Sequence, residues 1–370
     1  FLDVWTPSPR GVTVLIRRKI SQRSPYMRNP NILAIDLAKN VFQVCKTDSQ
    51  GNVVFNREVT RLKLKALLCK QQSSLVAMEA CASAHYWARY ARDLGHQVKV
   101  MSARSVKAFQ TKQKTDKNDA LAIATAASLQ HIHSVKIHTV EEQALQALER
   151  ARHLALAQQV AQSNQIRGLL SEFGVVIAQG MSALRVNIPL VLEDAENGLP
   201  NSFRAVLHRL WAQLNVQIEH VDMLTKQLEL SVSTDPVCQQ LMKLEGVGPL
   251  GALGLALRLG KGENFTNGRE ASANIGLTPK QHSSGGKERI GHISKRNADK
   301  RLRCILFQGA LSVISNVIKR PARTTKEQWL KTLIERRGKK VAAIALANKT
   351  VRTAYALLKS NSEYQPQLLA

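Results

Sequence analysis

The sequence predicts an α/β N-terminal domain, then a coiled-coil helical hairpin and a mostly α C-terminal domain with a helix-hairpin-helix. Three observations predict this. Residues 31–129 alternate β-rich and helical runs, residues 141–230 hold apolar residues at helical spacing, and residues 235–358 are mostly helical. A strand meander followed by strand-helix units implies a mixed sheet with flanking helices. Sustained 4/3 apolar spacing implies long helices packed on each other. The expected boundaries are 30–135, 136–232 and 233–360, with a tail at 361–370.

In the first segment "NILAIDLA", "VFQVCKTD" and "VVFNREV" are short strands, the last two joined by the turn "SQGN". "RLKLKALLCK" is helical, "SLVAMEA" a buried strand, "AHYWARYARDL" helical, and "QVKVMS" a strand. "KNDALAIATAASL" is an Ala-rich helix. In the second segment a long helix begins near residue 141 with neither Pro nor Gly before Gly168. A second helix keeps Phe203, Leu207, Leu210, Leu214, Val221, Leu224 and Leu228 in heptad register, with Gln217 as its polar core position. A Gly/Pro-containing connection joins the two. Between them and the first segment, "HIHSVKIH" reads as a linker with surface histidines, because no Cys or carboxylate joins His131, His133 and His138 at metal-ligand spacing.

Charge narrows the function. The 370 residues carry a formal net charge of +26, and apolar residues make up 44%. A chain this apolar is not disordered, and one this basic expects a polyanionic partner, most commonly nucleic acid. More than half of the surplus falls in residues 280–358. No apolar run is long enough to span a bilayer. The five cysteines, at 45, 69, 81, 238 and 304, lack paired spacing. That argues against a disulfide framework or a structural zinc site and for a cytoplasmic protein. Residues 1–29 are basic and without periodicity, so they are expected to be a disordered or non-native tail, with the functional chain opening near Met27.

Four carboxylates stand out. Asp36 and Glu79 close apolar strands; Asp116 and Asp119 lie three apart at a helix start and share a face. Each alone has an ordinary reading: a solvated strand end, an N-cap, a first-turn acid. Together they could hold a Mg²⁺ pair suited to phosphodiester chemistry. Further on, "LMKLEGVGPLGALGLALRLG" has helix-hairpin-helix spacing, and Gly246 and Gly248 would let backbone N–H groups approach a DNA phosphate. Next comes "KQHSSGGKERIGHISKRNADKRLR", residues 280–303. The tetrapeptide "SSGG" alone reads as a flexible surface turn. Beside it Lys287, Arg289, Lys295, Arg296, Arg301 and Arg303 could stabilise charge on a phosphoryl transition state.

The order Asp36, Glu79, Asp116, Asp119, with "IDLAKNVFQV", "MEACASAHYWAR" and "KTDKNDA", resembles the DEDD transposases of the insertion-sequence family numbered one hundred and ten, most of all its eleven-eleven subgroup. The resemblance runs from about residue 30 to 358. It implies a RuvC-like, ribonuclease-H-type N-terminal domain whose four carboxylates bind Mg²⁺ (or Mn²⁺). It implies a serine nucleophile mapping onto Ser284, with Ser283 in reserve, and DNA strand exchange through a phosphoserine link. It further implies double-stranded donor and target DNA, a guide RNA encoded by the element, and a homo-oligomer in which one protomer's serine meets another's carboxylates. Two departures are visible: Ala82 replaces the usual Gly, and "KRNADKRLR" lacks a Gly and is one residue longer. The same residues leave two other classes open. One is a RuvC-like endonuclease hydrolysing branched DNA; the other is a decayed element protein that only binds DNA or RNA.

Overall fold

The computed structural model describes residues 31–111, 113–293 and 299–368. The expected tail at 1–29 lies outside the described residues, as do Lys295 and Arg296.

The N-terminal segment is built on five strands: β1 (Ile32–Asp36), β2 (Val41–Thr47), β3 (Val53–Thr60), β4 (Leu75–Glu79) and β5 (Gln97–Met101), in the order β3-β2-β1-β4-β5. The first three pair antiparallel; β1, β4 and β5 are parallel. The β2–β3 turn forms because the Asp48 carboxylate accepts from the N–H groups of Gln50 and Asn52, and Gly51 takes φ +90°. Alternation along β1 divides the core. Leu33 and Ile35 face a layer with Phe42, Met78 and Trp87, the last from α2 (Ala84–Asp93); Leu64 and Leu68 of α1 (Arg61–Lys70) complete it. Ile32 and Ala34 face the Ala-rich α4 (Asp116–Ser128), preceded by the short α3 (Ala103–Lys107). Ala34 and Ala77 on the sheet meet Ala120, Ala124 and Ala127 on the helix, all buried. Small residues on both sides let the helix axis come close.

Two long helices follow, α5 (Val140–Ser171) and α7 (Asn201–Thr234). Thr139 and Glu142 form a capping box that starts α5. The helices run antiparallel: Arg152 Nε donates to Thr225 Oγ1 at 2.7 Å, and Gln162 Nε2 to Gln213 Oε1 at 3.1 Å. Their core includes Ile166, Leu170, Leu207 and Leu214, and Ile218 is buried where the heptad reading expected Gln217. The connection holds a further helix, α6 (Met181–Glu193), which Pro189 concealed in the sequence.

The C-terminal segment comprises α8 (Pro236–Met242), α9 (Pro249–Leu259), α10 (Gly268–Ile275), a two-stranded hairpin β6 (Pro279–Ser284) and β7 (Lys287–Ile293), then α11 (Lys300–Val317), α12 (Thr325–Arg337) and α13 (Lys339–Ser360) around one apolar core. Residues 361–368 run back over it: Tyr364 Oη donates to Glu245, and Thr324 bridges to Leu368. The segment binds the rest through Lys136, whose Nζ donates to Glu142 (2.6 Å) and to the Ala256 carbonyl, and through an Arg301–Glu149 ion pair at 2.8 Å.

The linker histidines are not all on the surface. His138 is buried against the His85 ring, and its carbonyl accepts from Arg89 at 2.7 Å. Burial, more than the neighbouring cations, holds its imidazole below the ordinary range and pushes His85 down to about 4.

The turn between α8 and α9 packs backbone to backbone on α11. A Cβ on Gly246 would lie 2.7 Å from the Gly309 carbonyl oxygen, and one on Gly309 would run into the Gly246 carbonyl. Gly309→Ala, ordinarily favourable by about 1 kcal/mol inside a helix, should therefore destabilise by about 2 kcal/mol. A thermal melt followed by circular dichroism checks this; an unchanged or raised Tm would refute the contact.

Candidate active site

β1 and β4 are parallel neighbours, so their carboxyl ends open on one sheet edge. Asp36 and Glu79 are the last residues of those strands. Helix α4 begins at that edge. Thr115 caps it by accepting from the Asn118 N–H, and Asp116 and Asp119 occupy its first turn, where the helix dipole favours negative charge. A tether fixes the helix start: Gln43, opposite Asp36 in the β1–β2 register, donates to Asn56 at 2.6 Å, and Asn56 donates to the Lys117 carbonyl at 2.9 Å.

The result is a tight acidic cluster. Carboxylate oxygens of Asp36, Asp116 and Asp119 lie within 4.8 Å of one another. Two unit charges at that separation repel by roughly 3 kcal/mol at an effective dielectric near 20. Burial first, then the charges of Asp119, Asp116 and Glu79, push Asp36 up to about 6; Lys114 opposes the shift. Burial and Asp119 likewise raise Glu79. Glu79 is not within the 4.8 Å group but shares its field. An all-oxygen donor set of hard carboxylates fits Mg²⁺ or Mn²⁺ rather than a thiophilic ion. Gln110, which no motif in the sequence marks, donates from Nε2 to Asp119 Oδ1 at 3.0 Å and fixes that carboxylate. Only its place six residues before Asp116 could have flagged it.

The serine step is a formed turn rather than a flexible loop. Gly285 and Gly286 take φ +56° and +74°, the two left-handed positions of a two-residue hairpin. Adjacent glycines between short polar strands were the available signal. Cross-strand partners share a face. Ser284 pairs with Lys287 and His282 with Arg289; Ser283 pairs with Glu288 and Gln281 with Ile290. Ser284 therefore stands on a cationic face. Ser283 stands on the other, accepting from Gln281 Nε2 at 3.1 Å, and that same amide reaches Glu288. Every residue of β6 is exposed.

The other expected contacts divide. Lys287 and Arg289 are exposed on β7. Arg301 is held by Glu149, and Arg303 donates to the Gly276 carbonyl. Gly246 meets Gly309, whereas Gly248 is exposed. Among the described residues no hydrogen bond or ion pair links Ser284 to the carboxylates of its own chain.

The segment that carries the acidic cluster and the segment that carries the serine hairpin each match a family model of one class, the transposases. Residues 33–175 match the DEDD-type transposase family model, and residues 238–326 match the model described as "Transposase IS116/IS110/IS902 family". The chain is 37% identical over 339 residues to a protein of Pseudomonas aeruginosa named "Probable family 20 transposase", covering 91% of this chain and 99% of that protein. It is 36% identical to the transposase for insertion sequence element IS1111A of Coxiella burnetii, over 97% of this chain and 99% of the relative. It is 34% identical to the transposase for insertion sequence element IS1328 of Yersinia enterocolitica, over 89% and 97%. The chain belongs to the IS110 family of transposases.

The raised Asp36 gives a pH signature. Its proton must leave before a cation binds, so Mg²⁺ or Mn²⁺ affinity should fall as pH drops through about 6. Without metal, the raised value makes the folded state lose stability as pH rises from the ordinary carboxylate range, near 4, toward about 6. Asp36→Asn should remove both effects, read by calorimetric Mn²⁺ titration and by melts. Gln110→Ala should weaken Mn²⁺ binding about 10-fold or more, with Gln110→Glu no rescue; an unchanged affinity would reject its role.

Proposed function

We propose that this chain is a site-specific DNA recombinase of a mobile element, acting on double-stranded donor and target DNA through a phosphoserine intermediate. The observation that carries the reading is the hairpin face on which Ser284 stands with His282, Lys287 and Arg289. Ser284 Oγ attacks a DNA phosphorus and gives up its proton; the phosphorus–oxygen bond to one strand breaks, and the departing strand oxygen takes up a proton to become a free hydroxyl at that strand's end. A free hydroxyl of a second strand then attacks the phosphoserine, the new phosphodiester forms, and Ser284 is released. The phosphodiester energy is conserved in the serine link, so no external energy source is needed. Lys287 and Arg289 stabilise charge on the phosphoryl oxygens. A hydroxyl on the opposite face, as in Ser283, lacks that support.

The strand order β3-β2-β1-β4-β5 supports a RuvC-like, ribonuclease-H-type reading of the N-terminal domain. Asp36, Glu79, Asp116 and Asp119 are the residues that would hold Mg²⁺ or Mn²⁺, which supplies Lewis acidity and phosphate alignment when bound. The exposed hairpin suits a homo-oligomer in which Ser284 of one protomer meets the carboxylates of another. The family resemblance adds a guide RNA encoded by the element, and the basic C-terminal segment supports a polyanionic partner of that kind.

Three outcomes test this. Wild-type protein and Ser283→Ala should give a detergent-resistant protein–DNA adduct, and Ser284→Ala none. An adduct retained by Ser284→Ala would overturn the assignment, and Mg²⁺-dependent cleavage with no adduct would favour hydrolysis by water. Mixing Ser284→Ala with Asp36→Asn should restore strand exchange to about a quarter or more of wild type if the site is shared between protomers; no recovery would reject sharing. Sequencing RNA that co-purifies with the native protein should recover one discrete species from beside its gene.

A further inference from the structure

A groove of about 1510 Å³ opens at the base of the serine hairpin, away from the acidic cluster. Gly291, His292 and Ile293 of β7 form one wall, and α13 forms the other. The floor is apolar: Val341 and Ile344 of α13, Leu277, and Trp329 of α12. Val341 is 53% exposed. The rim is cationic: Arg269, Lys340, Lys349 and Arg352 line the groove, and none of its described lining residues is acidic. Lys349 lies over the Trp329 ring at 4.6 Å, while Arg269, Lys340 and Arg352 are exposed and have no ion pair among the described residues. From Lys340 to Arg352 the helix rises on the order of 18 Å, long enough to follow several phosphates.

We propose that this groove binds an unpaired DNA strand next to the point of cleavage, with phosphates along the cationic rim and bases on the apolar floor. The inference rests on the recombinase reading and names the partner of a surface that reading leaves unused. A cationic rim alone would suit a duplex. A duplex, however, presents phosphates and keeps its bases stacked inside, so the apolar floor would stay wet. An unpaired strand offers both chemistries at once. The position also fits. From Ile293 to Lys287, the cross-strand partner of Ser284, β7 spans roughly 20 Å. A strand whose phosphate lies at Ser284 thus reaches the groove within a few nucleotides. Strand exchange requires such an end to be held while its partner changes.

The test uses the full-length chain carrying Ser284→Ala, so that binding is read without covalent trapping. A fluorescein-labelled oligo-thymidine strand, a mixed-sequence DNA duplex and an oligo-uridine strand of equal length are titrated by anisotropy over a range of salt. Adding Lys340→Ala and Arg352→Ala, both at exposed positions, should weaken oligo-thymidine binding roughly 10-fold or more and reduce the log–log salt slope by about 1.4 for two phosphates. Duplex affinity should change less than about two-fold. Val341→Glu, which puts a negative charge on the exposed floor, should have the same selective effect with an unchanged melt. Equal loss for strand and duplex, no loss for either, or a selective loss confined to oligo-uridine would overturn the proposal. So would displacement of the strand by poly-glutamate at matched charge. Adduct formation is measured separately on the chain with its native serine. A chain that forms adduct without groove-dependent strand binding refutes the groove alone; one that binds the strand without forming adduct refutes the recombinase reading alone.

Discussion

Mutual repulsion among carboxylates at one sheet edge is the constraint around which the N-terminal domain is arranged. Asp36, Asp116 and Asp119 bring oxygens within 4.8 Å of one another, with Glu79 in the same field. Such a cluster opposes folding unless the backbone that carries it is fixed by other means and a cation neutralises it. The fixing is visible. Parallel pairing sets the Asp36 and Glu79 strand ends side by side, an alanine interface holds α4 close to the sheet, and Gln43 and Asn56 tie down its first turn. Gln110 then orients Asp119.

The hairpin solves the opposite problem, placing one hydroxyl among positive charges. Two left-handed glycines close the turn, and from there the register is forced. A one-residue slip would exchange the faces and put Ser283 beside the cations. The glycines therefore select between two adjacent serines by geometry, quite apart from the steric room they leave around a nucleophile.

Cations in the C-terminal segment serve two ends. Arg301 is bound to Glu149 of the long helix, and Lys136 ties the linker to α9, so part of the positive charge joins the segments. Lys287 and Arg289 on the hairpin, and the arginines and lysines around the groove below it, remain directed outward. Composition alone cannot separate these uses, since pairing depends on which acid each side chain meets in space.

The sequence by itself determined the family and every strand of the N-terminal sheet, together with the long helices. Period-two runs, the "SQGN" turn, the Ala-rich helix and the long 4/3 pattern are local signals, and local sterics and burial convert them directly into strands and helices. The order of four carboxylates and the "SSGG" words carried the resemblance. Pro189 hid α6, and the polar, fully exposed strands of the hairpin had no apolar alternation to reveal them. Tertiary structure alone decided that His138 is buried, that Gly246 meets Gly309, that Gln110 reaches Asp119 and that Ser284 and Ser283 face opposite ways. Those outcomes depend on how separate elements meet in space or on cross-strand register. A hydrogen bond or a shared face is a property of position in space, which the spacing of letters does not encode.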